Sequence, residues 1–190
     1  YIRLYLETGK PLAVSMKLYQ SIGFQVIENY GQYKDMKESI CMEKKLIRRA
    51  TNEDLPHILS LYQHLLPNED YNVVEDFSAA WKTIMNDPKI ECFVAFSNAI
   101  PVSTCILNIL PNLTRNHRPY ALIENVVTHT DYRGKGFGRA VMETAINYAK
   151  QKNCYKVMLL SSSNRKESHR FYETIGFDGD SKKGFQIRFP

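Results

Sequence analysis

Apolar and polar positions alternate at two periods along this chain, and the switches between them mark out its elements. YIRLYLETG, residues 1–9, alternates with period two and predicts a strand. Residues 12–20 carry Val14, Met16 and Leu18 on a helical stretch that Gly23 is expected to stop. ICMEKKL, 40–46, predicts a second strand. A fresh unit then opens with IRRATNEDLPHILSLYQHL. It comprises a short strand, then Thr51 or Asn52 as a helix cap with acidic residues in the first turn. A further helix is expected around FSAAWKTIM, 77–85, closed by Asn86-Asp87-Pro88.

Strands follow at ECFVAF (91–96), VSTCILNIL (102–110) and ALIENVVTH (121–129), the first two joined through turn-prone Ser97-Asn98. Residues 138–150 set Val141, Met142, Ala145, Ile146 and Ala149 on one face of a helix. The unbroken run VMLL, 157–160, predicts a strand covered on both faces. A last helix ends in FYETIGF, 171–177, and GFQIRF, 184–189, is expected to close the chain as a strand.

One pattern occurs twice. LYQSIGF, 18–24, matches FYETIGF at a shift of 153 positions, setting Tyr19 on Tyr172 and Gly23 on Gly176. The same shift lays 4–6 on 157–159 without a gap, strand on strand and helix on helix. The first copy has no counterpart of 131–140 before it. The expected organisation is therefore a half-unit at 1–46 followed by a complete α/β domain at 47–190. A half-unit leaves a sheet edge and an apolar helix face uncovered. With Tyr1 rather than Met at its start, the chain is expected to continue a tandem protein whose N-terminal half covers that face. Docking on the main domain, or on another chain's copy in a homodimer, are the other arrangements that would do so.

Composition narrows the function. The residues are 44% hydrophobic and 24% charged, as in a globular protein, and no apolar run is long enough for a membrane span. Cys41, Cys92, Cys105 and Cys154 are scattered without a CxxC pair, which suits buried thiols in a reducing cytoplasm better than a disulfide or zinc framework. The net charge of +5 favours an anionic ligand, but no basic run with interleaved aromatics points to nucleic acid.

The stretch DYRGKGFGRA, 131–140, stands between a predicted strand and a predicted helix. Glycines there let backbone approach a ligand, and the amides of a new helix end favour phosphate. Arg133, Lys135 and Arg139 add positive charge, so a diphosphate is the natural guest. The spacing is neither GxxxxGK[ST] nor GxGxxG. On these residues alone, a tight turn with solvated cations remains open.

Arg133-x-x-Gly136-x-Gly138 after a strand, with FYETIGF downstream, resembles the acetyl-CoA loop and C-terminal signature of the GNAT superfamily of N-acetyltransferases. The resemblance covers residues 47–190. IENVV, YRGKGFG, NCYKVML and FYETIGF are most similar to the branch containing glucosamine-6-phosphate N-acetyltransferases. It implies a mixed central sheet flanked by helices, acetyl-CoA as cosubstrate and no metal. The backbone of Gly134, Lys135, Gly136, Phe137, Gly138 and Arg139, with Arg133 beside it, would hold the pyrophosphate. Val126, Val127 and Thr128 would run along the pantetheine arm, an N–H near Val126 facing the thioester oxygen.

By the same resemblance Tyr172 would protonate the departing thiolate, and Glu124 would serve as base, directly or through water. Glu124 reads equally well as an outward-facing strand residue. An asparagine expected seven residues before the tyrosine is replaced by Arg165, leaving Asn164, one position earlier, as the candidate cofactor contact. For the acceptor, the acidic NEDYNVVED (68–76) and the basic Arg115, His117 and Arg118 are candidate contacts. Besides the acetyltransferase reading, a non-catalytic acyl-CoA sensor and a dimerisation scaffold stay open.

Overall fold

The computed structural model describes residues 3–9, 13–21, 24–71, 74–97 and 99–189. Gly23 and Asn98, the expected helix stop and turn residue, lie outside them. Five strands form one sheet in the order β4-β5-β6-β7-β8: Ile47–Arg49, Ile90–Ser97, Ile100–Leu110, Tyr120–Thr128 and Val157–Leu159. Neighbours are antiparallel except β7 and β8, which run parallel. Helices α2 (Leu55–Gln63) and α3 (Val74–Asn86) cover one face; α4 (Phe137–Gln151) and α5 (Lys166–Thr174) cover the other.

Strand alternation sorts the core between those layers. On β5, Phe93 and Ala95 join the α4/α5 side, whereas Cys92, Val94 and Phe96 join the α2/α3 side. The middle strand β6 is buried on both faces from Pro101 to Leu107, as a sheet between two helical layers requires. Helix α4 buries Phe137, Val141, Met142, Ala145 and Ala149 on that first side. Replacing fully buried Phe137 by Ala is expected to cost about 3–5 kcal/mol of unfolding free energy. A urea titration checks this.

The start of α2 is held by charge. Thr51 and Asp54 form a reciprocal capping box, and Arg48 donates to both Asp54 oxygens at 2.6 and 2.9 Å. Burial alone would raise the Asp54 pKa, but the Arg48 hydrogen bonds and charge and the Thr51 N–H outweigh it and hold it below the ordinary value. A depressed folded pKa means stability that is present above the unfolded value and lost as pH falls through the folded one. Asp54→Asn is expected to cost about 1–3 kcal/mol at pH 7, and the difference should shrink below about pH 4. Denaturant midpoints measured across that range decide it.

The N-terminal residues build a separate antiparallel sheet in the order β1-β3-β2: Arg3–Gly9, Ser39–Lys45 and Gln25–Ile27. Helix α1, Ala13–Ser21, connects β1 to β2. The short strand β2 is not apparent in the sequence pattern. Asn29 pins the link to β3: Cys41 N–H donates to its Oδ1, and its amide donates to the carbonyls of Met36 and Ser39. The two repeat copies close in the same way. Phe24 N–H donates to the Tyr19 carbonyl at 2.9 Å, and Phe177 N–H to that of Tyr172 at 3.1 Å. Both ring pairs meet edge-on, at 5.9 and 6.1 Å. What differs is cover: Tyr172 is buried under the α4 layer, whereas Val14, Leu18 and Val26 of the first copy are exposed.

Two expectations require correction. GFQIRF is not a strand; residues 178–189 are irregular, with Phe185, Ile187 and Phe189 at 87, 83 and 87% exposure. Alternation supplies a strand's side chains but not its ladder partner, and β8, three residues long, pairs only with β7 among the described residues. For the same reason VMLL is only partly buried, and Leu160 lies exposed beyond the strand.

Candidate active site

The site lies where β7 and β8 part company. Their parallel pairing ends at Ile123↔Leu159, and β7 continues to Thr128 without a β8 partner. At the next residue β7 also breaks step with β6. Thr104 faces Val127, but Ile106 faces Glu124, so three steps on β7 answer two on β6. The surplus residue makes a β-bulge, and Asn125 takes the left-handed conformation there, at φ +53°. Two consecutive polar residues in an apolar strand, Glu124-Asn125, were the available sign of it.

Glu124 is half-buried at this opening, and burial pushes its carboxyl above the ordinary value. Being opposite Ile106, it shares the α2/α3 face of the sheet. Tyr172 approaches from the other layer, 8% exposed and packed against Phe171 and Phe177. Burial pushes its phenol up. Arg165 pulls the other way, and Cys105 and Glu124 add to the rise. The Glu124 charge is thus the least of the influences on the Tyr172 phenol, and burial the largest. A raised carboxyl makes a stronger base, and a phenol still protonated at neutral pH is a proton donor.

Further along β7, Val126 packs toward the α4/α5 core and Val127 is buried. Ser103 Oγ lies 2.8 Å from Thr128 Oγ1 and donates to the Val127 carbonyl at 2.9 Å, which fixes the strand's end. A 3₁₀ turn, Thr130–Tyr132, then leads into the glycine loop. Gly134 and Gly136 hold φ of +72° and +76°, conformations that admit glycine most readily. Gly136 caps α4, and Ala140 N–H is bonded back to its carbonyl. The N–H groups of the helix's first turn thus present an anion site at the end of the opened strand. Gly138 permits the helix to lie close: a Cβ there would meet Thr128 Oγ1 at 3.0 Å.

The cations have further duties that spacing did not show. Arg133 donates from Nε to the Thr128 carbonyl at 3.2 Å. Arg139 donates to Thr174 Oγ1 and carbonyl at 2.9 and 3.2 Å, and pairs with Glu143. Lys135 stands over the Tyr132 ring at 5.2 Å. Phe137 belongs to the core, so its contribution to a ligand is confined to backbone. Asn164 is exposed in the turn before α5, where its carbonyl accepts from Lys166 N–H.

Of the acceptor candidates, Arg118 clamps the carbonyls of Asn153 and Cys154, and Arg115 lies over Tyr155. His117 is exposed and left-handed, as are Arg115 and Asn116 before it. The acidic segment is partly spent as well, since Tyr71 Oη donates to Glu69 at 2.7 Å. Sequence reasoning missed Tyr62, whose hydroxyl is buried near Asn125, and the tilted ring pair His64–His129, 4.2 Å between centroids, which ties the end of α2 to the end of β7.

An open parallel pair, a bulged strand and a glycine-capped helix thus meet at one end of the sheet. The model of the acetyltransferase (GNAT) family matches residues 53–177, and the chain belongs to that family. It is similar to a glucosamine 6-phosphate N-acetyltransferase of Trypanosoma brucei brucei, at 41% identity over 76 residues. That match covers 40% of this chain and 50% of the relative. An uncharacterized N-acetyltransferase of Methanocaldococcus jannaschii is 31% identical over 137 residues, 70% of this chain and 60% of its own. The chain thus spans only half to three-fifths of these curated relatives. Among solved structures, an acetyltransferase assigned as putative in Agrobacterium tumefaciens str. C58 superposes with a TM-score of 0.73 at 46% identity. The superposition covers 76% of this chain and 99% of that one.

Proposed function

We propose that the chain transfers the acetyl group of acetyl-CoA to a primary amine of a small polar acceptor by direct attack. The parting of β7 from β8 immediately before Glu124, with the anion site of Gly134–Arg139 at the same strand's end, carries this reading. The amine attacks the thioester carbonyl as Glu124 removes its proton, and the oxyanion is stabilised by a backbone N–H near Val126. As the intermediate collapses, the C–S bond breaks and Tyr172 protonates the leaving thiolate. An N-acetylated amine and CoA thiol result. Arg133 and Arg139, though engaged with carbonyls, keep their charge close to the diphosphate. The Trypanosoma relative supports an amino sugar phosphate as the first acceptor to try. Thiol release from acetyl-CoA with glucosamine 6-phosphate, an aminoglycoside, spermidine and a lysine peptide tests the proposal.

Two further outcomes follow. Glu124 has its pKa raised on folding, so the folded state holds the proton more tightly and stability falls as pH rises through that value. Glu124→Gln is therefore expected to remove the acidic limb of the pH–rate profile while leaving thermal stability at pH 7 unchanged or higher. A variant that keeps the limb assigns the base elsewhere. The half-unit at 1–46 lacks a glycine loop and its Tyr19 lies outside any such site. Its exposed Val14, Leu18 and Val26 offer an apolar face to a covering partner. Calorimetry is expected to find one acetyl-CoA per chain and Tyr19→Phe to leave turnover unchanged; two equivalent sites would overturn this.

A further inference from the structure

We infer that Asn125 positions the acceptor amine, and that the Tyr62 hydroxyl steadies the Asn125 carboxamide for that task. The inference rests on the acetyl-transfer reading and gives its acceptor side a residue. Asn125 stands between the base and the backbone N–H near Val126, at the bulge itself. Its left-handed backbone turns the chain so that Glu124 keeps to the α2/α3 face while Val126 packs toward the α4/α5 core. Asparagine tolerates that conformation better than other residues with a side chain, because its short polar group bonds locally. Valine, branched at Cβ, does not. The side chain of Asn125 is exposed, on a strand whose neighbours Ile123 and Val127 are buried. An exposed carboxamide beside the base offers one acceptor and two donors to a polar amine.

Tyr62 supplies the second observation. It sits at the end of α2, beyond buried Ile58, Leu59 and Leu61, with its ring 6.1 Å from that of Tyr71. Its hydroxyl is buried and has no hydrogen-bond partner of good geometry among the described residues; burial is the main influence on it, then Cys92, and Asn125 is the neighbour placed to bond it. A buried phenol left so is costly unless it completes its bonding when the site is occupied. A carboxamide that turns to meet the acceptor amine on one side and the phenol on the other satisfies both.

Steady-state kinetics with acetyl-CoA and glucosamine 6-phosphate, or the panel amine turned over fastest, tests it. Asn125→Gly keeps the left-handed backbone and removes the carboxamide. Expected are an acceptor KM about 3- to 10-fold higher, kcat within about 3-fold, and unchanged acetyl-CoA affinity. Tyr62→Phe is expected to raise acceptor KM similarly without lowering the melting temperature, and the double variant to be no worse than Asn125→Gly alone. Asn125→Val displaces the N–H and is expected to lower kcat about 10²-fold. Unchanged acceptor KM in Asn125→Gly, or additive effects in the double variant, overturn the inference while leaving acetyl transfer intact. A Tyr62→Phe protein that melts lower with KM unchanged makes that hydroxyl structural and overturns the clamp. Wild-type protein that acetylates no amine in the panel overturns both readings together.

Discussion

Tyr172→Phe is expected to lower kcat by roughly 10²–10⁴-fold while leaving acetyl-CoA affinity within a few-fold of wild type. The substitution removes one oxygen from a side chain otherwise packed between Phe171 and Phe177 under the α4 layer, so the fold should persist. Without the phenol the thiolate must leave unprotonated or draw on water, and the loss falls on kcat rather than on binding. Burial, the main influence on this hydroxyl, keeps it protonated at neutral pH. Thiol release by the purified variant, beside acetyl-CoA calorimetry, separates the two effects. A variant with full turnover would return the proton to water or to another donor.

The second large effect is expected at Gly136. An aspartate there would place a carboxylate at the head of α4, where it repels the diphosphate and itself takes up the positive end of the helix. Near a protein surface one like-charge contact at about 4 Å costs on the order of 4 kcal/mol, so acetyl-CoA binding should weaken 10²-fold or more. The backbone also changes, since Gly136 holds φ +76°. Gly136→Asn separates the causes, because asparagine tolerates that conformation and carries no charge. Its affinity should stay much nearer to wild type. Equal and small losses in both variants would remove the diphosphate from this loop.

Much of this was legible in the chain because its signals are local. Alternation at 91–96, 102–110 and 121–129 marked β5, β6 and β7, and the 3.6-residue period of 138–150 marked α4. The turn chemistry of 131–140 marked the glycine turn at the head of α4, since glycine at positive φ is a property of the residue itself. The seven-residue match at a shift of 153 positions set Tyr19 on Tyr172, and both carbonyls accept from the phenylalanine N–H five residues on. Features that depend on distant partners were not legible. Spacing could not show that Arg139 would bond Thr174, 35 residues away, or that Arg118 would clamp the turn after α4. Nor could alternation in GFQIRF supply the neighbour that a strand needs. Glu124-Asn125 lies between these cases: the polar pair was visible, but a bulge is a relation between two strands and emerges only from the register.

The fold ties these parts into a single chemical proposal, in which the opened end of β7 receives a thioester, Glu124 takes a proton from the amine and Tyr172 gives one to the thiolate. The most direct measurement follows acetyl-CoA and the four amines together, recording free thiol and the mass of the acceptor. The expected result is thiol release that depends on an amine, with one acetyl group gained by that amine for each thiol formed. Acetyl-CoA bound tightly in calorimetry but left intact with every amine would contradict the account and mark the chain as an acyl-CoA sensor.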